Sequence, residues 1–344
     1  MGIQASNLNY EKINELLKKE YGIISERIEE INRGTANIFK IITKGKQYIL
    51  KEFSPKRSIE SILKEINIIN FLKERNIKVP NYIKTCNGNF YIQNEDRIII
   101  LQEFVDGYTM ENNTVDEYNK IIESATILGK ITKELMNYTK LGDEGIIEKN
   151  FSKNTLENGI NKIKQLIHEI KDDNPNKDRI ISDLELKLKI AEELYMNFNF
   201  DSIKKMTITN AHGDYSIQQL IYNDKLGTTV IDFETAKSLP IVWEIIRSYS
   251  YIDKEAKDGC FNVKTLVEYF KEFSKYVKLN EYDLKNAPYL YLLQLIGSVF
   301  GYKEYNNDFE QVGLLEFAFF RTKLCKYLYE NLEYISTELI NNVE

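Results

Sequence analysis

A change of hydrophobic period partway along the chain limits the folds open to it. From about residue 23 to residue 104 the apolar residues mostly alternate, as half-buried strands require. "NIFKIITKGKQYILKEF" alternates on both sides of Lys44-Gly45 and predicts a hairpin. "SIESILKEINIINFLKERNI" puts Ile62, Ile66, Ile69 and Leu72 on one helical stripe, and Pro80 stops that region. "NYIKTCNGNFYIQNEDRIIILQEF" predicts three short strands, with turns at Asn87-Gly88 and Asn94-Glu95-Asp96. After "VDGYT" the period becomes helical over 114–137, over 155–198 apart from the polar "KDDNPNKDR", and from Trp243 to the end. Residues 8–20 read as a short amphipathic helix. The expectation is an α+β, bilobal chain. A β-rich first lobe spans 1–104, and a larger helical lobe with an embedded hairpin spans 105–344.

The 344 residues suffice for two sizeable cores, and 43% hydrophobic with 28% charged residues is ordinary for a soluble globular protein. The formal net charge of -6 counts against a duplex nucleic-acid partner. Cys86, Cys260 and Cys325 are too far apart for a CxxC unit or a disulfide framework, so mostly buried, reduced thiols are expected. No signal-peptide pattern opens the sequence, and "LLQLIGSVF" is far too short to span a bilayer. The expected setting is cytoplasmic, with neither membrane nor nucleic acid as partner. The sequence leaves the oligomeric state open.

The segment from Asn210 to Ala236 carries the chemistry. It holds His212, one of only two histidines, and places Asp214 and Asp232 18 positions apart. "MTITN" delivers His-Gly-Asp to one strand end and "TTVID" delivers Asp232 to another. Strand ends leading into loops are where a rigid scaffold presents reactive groups. Taken singly, Asp214 is a turn residue and Asp232 a cap. Pairing of the two segments would bring both carboxylates together. Such a pair repels unless a proton or cation lies between, and Mg²⁺ with its oxygen ligands suits the place.

These residues carry a resemblance. "HGDYSIQQLI" resembles the H-G-D-x-x-x-x-N catalytic loop of the aminoglycoside phosphotransferase-like kinases, and "VIDFETA" resembles their metal-binding segment. That family includes choline, homoserine and methylthioribose kinases and kinase-like spore-coat proteins, and shares the protein-kinase fold. The resemblance implies ATP (with GTP as an alternative) and Mg²⁺ as cofactors, and a small molecule with a hydroxyl as acceptor. It makes Lys51 of "QYILKEF" the phosphate-contacting lysine and Glu65 its helix-borne partner. Gly34 and Asn37 of "INRGTANIFKI" match a loose phosphate loop. Backbone groups of Glu103, Phe104 and Val105 in "LQEFVDG" match the adenine-binding hinge. Asp214 would orient the acceptor hydroxyl, Asp232 would hold Mg²⁺, and His212 and Gly213 would support the loop. The chain departs from the pattern at Gln219, which stands where the family has asparagine. Its amide oxygen remains a metal ligand in kind, one methylene further out.

Candidate acceptor contacts are Asp106, Asp143, Glu144 and Glu234, which suit an amino-sugar. Trp243, Tyr249, Tyr251 and Tyr302 suit a quaternary amine. Glu244 and Arg247, one turn apart, read as a bracing ion pair. The leading expectation is a kinase acting on an aminoglycoside, sugar or amino alcohol. The alternative is a kinase-fold structural or binding protein with weak or no transfer. A protein kinase ranks last, because no A-P-E element follows "DFE".

Overall fold

The computed structural model describes residues 6, 8–31, 36–110, 116–142 and 145–343. The chain divides into two compact units. One joins Met1–Asn113 to Gln218–Thr235, and the other joins Thr114–Ile217 to Ala236–Glu344. The segment that follows the His-Gly-Asp loop thus belongs with the N-terminal sheet.

In the first unit, α1 (Tyr10–Leu16) runs into a π-helical turn over Leu17–Tyr21. The antiparallel sheet contains β1 (Arg27–Ile31), β2 (Asn37–Ile42), β3 (Gln47–Glu52), β4 (Ile92–Asn94) and β5 (Arg97–Glu103), in the order β1-β2-β3-β5-β4. Alternation along these strands sorts the side chains. Phe39, Ile41, Leu50, Ile99 and Leu101 pack with Ile13 and Leu17 into one core. Ile38, Ile49, Lys51 and Gln102 border a cavity instead. Between β3 and β4 lies α2 (Ile59–Glu74), started by Ser58, whose hydroxyl accepts the Ser61 N–H at 3.2 Å. Its stripe of Ile62, Ile66, Ile69 and Leu72 is buried as the periodicity requires. The strand expected around Tyr82 is reduced to a single bridge, Tyr82 to Gln102. β6 (Tyr108–Thr109) follows the hinge.

The second unit begins with α3 (Glu117–Leu135), α4 (Ile146–Asn150), α5 (Lys153–Glu169), α6 (Lys177–Asn197) and β7 (Ile208–Ala211). The chain then returns to the first unit for β8 (Leu220–Tyr222) and β9 (Thr229–Val230), which form a small sheet with β6. The second unit resumes with β10 (Lys237–Pro240), α7 (Ile241–Ile252), α8 (Lys254–Lys257), α9 (Val263–Ser274), α10 (Glu281–Ile296), α11 (Tyr302–Asn307) and α12 (Val312–Asn342). One of its cores joins Ile163 and Leu166 of α5, Ile180 and Leu184 of α6, Tyr302 and Tyr305 of α11, and Leu315 and Phe319 of α12.

Two expectations need correction here. The strand "MTITN" does not pair with "TTVID". β7 is antiparallel to β10, with Ala211 opposite Lys237, whereas β9 pairs with β8. Only Cys325 among the thiols is buried; Cys86 is exposed and Cys260 half-buried. No helix among the described residues is long and apolar enough to cross a membrane.

Candidate active site

The first unit encloses a cavity of about 850 Å³ that gathers residues far apart in sequence. Ile38 and Lys51 are cross-strand partners on β2 and β3, and both line it. Gln102 of β5 and the hinge residues Phe104 and Val105 form another wall, and Gln219 and Asp232 a third. The β8–β9 ladder brings those last two to one end, since Leu220 faces Val230 and the Ile231 N–H donates to the Gln219 carbonyl at 3.0 Å. Asp232 sits at φ 69°, a left-handed conformation uncommon outside glycine. Asn76 and Glu95 take the same conformation in turns, and of the three only Asp232 lines the cavity.

The other expected nucleotide residues are placed differently. Gly34 lies outside the described residues. Asn37 faces the opposite side of the sheet from Ile38, where its buried amide donates to Glu52 Oε2 at 2.7 Å. Glu103 is held by the Asn81 side chain, and its backbone N–H donates to the Asn81 carbonyl at 2.8 Å. Glu65, expected to aim Lys51, instead accepts the Tyr82 hydroxyl at 2.9 Å and pairs with Arg57 at 3.4 Å. The same guanidinium pairs with Glu234. Burial lowers the Arg57 pKa, and the nearby Glu65 and Asp232 carboxylates partly offset it. Lys51 has no ion-pair partner among the described residues, so its ammonium is available in the cavity.

These groups suit a magnesium nucleotide. Lys51 supplies a cation for phosphates, and Asp232 and Gln219 supply hard oxygen ligands. The buried Gln102 Oε1, without a partner, is an acceptor for a base amino group. Gly107, at the end of "LQEFVDG", lines the cavity beside Phe104 and Val105. A Cβ there would lie 2.2 Å from the Tyr222 carbonyl oxygen, and φ is 142°, so only glycine fits.

The second unit presents Asp214. Asn210 anchors β7 by accepting the Leu141 N–H at 2.9 Å and the Ser238 hydroxyl at 2.8 Å, while donating to the Leu135 carbonyl at 3.0 Å. The fully buried Glu244 of α7 accepts backbone N–H groups from His212 at 3.1 Å, Gly213 at 2.5 Å and Tyr215 at 3.4 Å. Gly213 turns the loop at φ 87°. Burial holds the Glu244 carboxyl above its ordinary pKa, though His212 and the loop N–H groups pull the other way. Arg247 binds Asp214 Oδ1 through Nη2 and donates from Nη1 to the Tyr215 carbonyl at 3.3 Å. Buried His212 accepts the Asp214 N–H on Nδ1 at 3.4 Å. Glu244 and Arg247 therefore do not form the expected ion pair; each binds the His-Gly-Asp loop.

Asp214 opens onto a second cavity, of about 300 Å³, lined also by Phe151, Lys237, Trp243, Arg247 and Gln294. Of the expected acceptor contacts among the described residues, only Trp243 lines it. Asp106 and Glu234 belong to the first unit, where Asp106 is exposed and Glu234 is paired with Arg57. Tyr249 and Tyr302 are buried, with hydroxyls bound to Asn262 and Asp183. Asp143 and Glu144 lie outside the described residues. Lys237, Gln294 and the roles of Glu244 and Arg247 carried no motif signal; only their position in space reveals them.

The model of the phosphotransferase enzyme family (APH) matches residues 27–264, and the chain belongs to that family. The match includes both Lys51 and the Asp214–Asp232 segment. Spectinomycin phosphotransferase APH(9)-Ia, solved with ADP and spectinomycin, is similar in fold, with a TM-score of 0.62 over 97% of this chain and 100% of that one at 15% identity. Amicoumacin kinase hAmiN, solved with AMP-PNP and Ca²⁺, gives 0.60 over 95% and 94% at 13% identity. The Plasmodium vivax ethanolamine kinase gives 0.55 over 96% and 93% at 16% identity. The comparison with curated proteins gives no match. The chain has the protein-kinase-like α+β fold of these phosphotransferases.

Proposed function

We propose that the chain is an ATP- and Mg²⁺-dependent kinase that moves the γ-phosphate to a hydroxyl of a small molecule. The observation that carries the reading is the convergence of Lys51, Gln219 and Asp232 on one cavity beside the hinge. Lys51 holds phosphate oxygens, Phe104 and Val105 flank the base, and Asp232 with Gln219 holds the metal. Mg²⁺ held there would supply positive charge against the charge that develops on the phosphates during transfer. Asp214 accepts a hydrogen bond from the acceptor hydroxyl and orients it for in-line attack. Its pairing with Arg247 suits this role, because a loose transition state asks for placement more than for a strong base.

Solved relatives support the cofactor assignment, through the ADP of the spectinomycin enzyme and the AMP-PNP and Ca²⁺ of the amicoumacin enzyme. One observation favours the second reading, a kinase-fold binding protein: Glu65 engages Arg57 and Tyr82 instead of Lys51. A thermal-shift titration with Mg-ATP, followed by ADP release over a panel of aminoglycosides, sugars, amino alcohols and hydroxy acids, separates the two. Stabilisation with turnover establishes the kinase. Stabilisation without turnover on any acceptor establishes the binding protein, and no stabilisation removes both nucleotide roles.

A further inference from the structure

We infer that the acceptor carries an anionic group, a carboxylate, close to its reactive hydroxyl, and is a small hydroxy acid in place of a polyamine. The inference rests on the kinase reading and deepens it. Asp214 is the sole carboxylate among the described residues lining the second cavity, and Arg247 already neutralises one of its oxygens. Lys237 lines the same cavity and has no ion-pair partner among the described residues. Gln294 is fixed in orientation, because its Oε1 accepts the Trp243 indole N–H at 2.8 Å. Its amide N–H groups are then the polar atoms left for a ligand. Asn150, also in the lining, donates its amide N–H to the Ile146 carbonyl at 3.1 Å and so adds a neutral acceptor, Oδ1. Among the described residues the charge left for a ligand is therefore positive, apart from the free oxygen of Asp214, which the hydroxyl needs.

The aromatic wall does not provide a cage for an amine. The Arg247 guanidinium carbon lies 5.5 Å from the Trp243 ring centroid and 5.0 Å from that of Tyr251, so the protein's own cation takes that interaction. A ligand ammonium would meet Lys237 and Arg247 with Asp214 as the balancing carboxylate among the described residues, and Arg247 already pairs with it. A volume of about 300 Å³ lies at the bottom of the usual range for ligand pockets, which suits a compact acceptor. In the transfer, the acceptor oxygen forms the new bond to the γ-phosphorus as the bond from that phosphorus to the β–γ bridging oxygen breaks. ADP leaves with that electron pair, and the hydroxyl proton passes by way of Asp214 to solvent.

Trp243 is the only tryptophan in the chain, so its fluorescence reports on this cavity alone. A matched set of 4-hydroxybutyrate, 1,4-butanediol and 4-amino-1-butanol isolates the charge, and ADP release is followed with each. The hydroxy acid is expected to bind at least about tenfold more tightly than the amine, with the diol between them. Lys237→Met should remove that preference and Lys237→Arg should restore it. Equal or tighter binding of the amine, no saturable change with the hydroxy acid, or a preference unchanged in Lys237→Met overturns the inference. A thermal shift with Mg-ATP is measured on the same samples. Its failure strikes the kinase reading, whereas the fluorescence ranking judges the charge of the acceptor independently and also reveals a variant that has not folded.

Discussion

The carboxylate of Glu244 lies against Gly213, accepting its backbone N–H at 2.5 Å, and it takes the N–H groups of His212 and Tyr215 as well. One buried side chain on α7 thus holds three backbone N–H groups around Asp214. The loop's shape is set from another element as well as by its own His212 and Gly213. That explains how a loop reading "HGDYSIQQ" can present its aspartate despite an unusual sequence after it.

Glu244→Gln tests this hold. The amide keeps one acceptor but points an NH₂ at donors that need an oxygen, leaving at least one buried N–H unsatisfied, at a cost of about 1–3 kcal/mol. Turnover should fall on the order of 100-fold, mostly in kcat, because Asp214 loses its placement. Mg-ATP affinity should change little, since the nucleotide residues belong to the first unit. Isothermal titration beside steady-state kinetics checks the split.

Arg247 makes two contacts, to Asp214 Oδ1 and to the Tyr215 carbonyl. A lysine ammonium keeps the charge but lacks the planar fork that reaches both. Arg247→Lys should therefore lower kcat by roughly 10- to 100-fold. Asp214→Asn should abolish transfer and leave Mg-ATP binding intact. Turnover surviving in the asparagine variant would show that another group orients the hydroxyl.

Asp232 allows charge to be separated from backbone. Its φ of 69° is one that asparagine also tolerates, whereas alanine there is strained. Asp232→Asn should keep the melting temperature of the ligand-free protein within a degree or two of the parent. The Mg²⁺-dependent part of ATP stabilisation should disappear. If the stabilisation persists, the metal is held elsewhere.

How far the sequence foretold this molecule depends on the range of the interactions. The hairpin around Lys44-Gly45 and the stripe of α2 are local, so alternation and helical spacing revealed them. Lys51, Gln219 and Asp232 share a cavity that motif order anticipated. The partner of β7 was hidden, because "KSLP" is four residues long, ends in proline and shows no alternation. The one-turn spacing of Glu244 and Arg247 suggested a pair, yet the buried N–H groups of the loop claim Glu244 and the Asp214 carboxylate claims Arg247. Trp243 looked like part of a cage, and nothing in one dimension shows that Arg247 occupies its face. Asn37 matched a phosphate-loop position, but strand alternation turns it to Glu52.

Lys187 offers a test remote from the site. It is buried on α6, with its ammonium donating to the Ser298 carbonyl and no carboxylate paired to it among the described residues. Burial lowers its pKa from 10.5 to about 8. Below pH 8 both folded and unfolded chains carry the proton, and the folded state bears the whole cost of the buried charge. Between about 8 and 10.5 the unfolded chain binds more protons, so this group's contribution to stability rises with pH. The change amounts to about 3 kcal/mol across the window. Lys187→Met removes the cost while keeping most of the volume. The variant's stability relative to the parent should be greatest near pH 7 and decline steadily towards pH 10. Urea unfolding of both proteins at several pH values measures that difference, and a difference independent of pH would show that Lys187 is not desolvated as its position indicates.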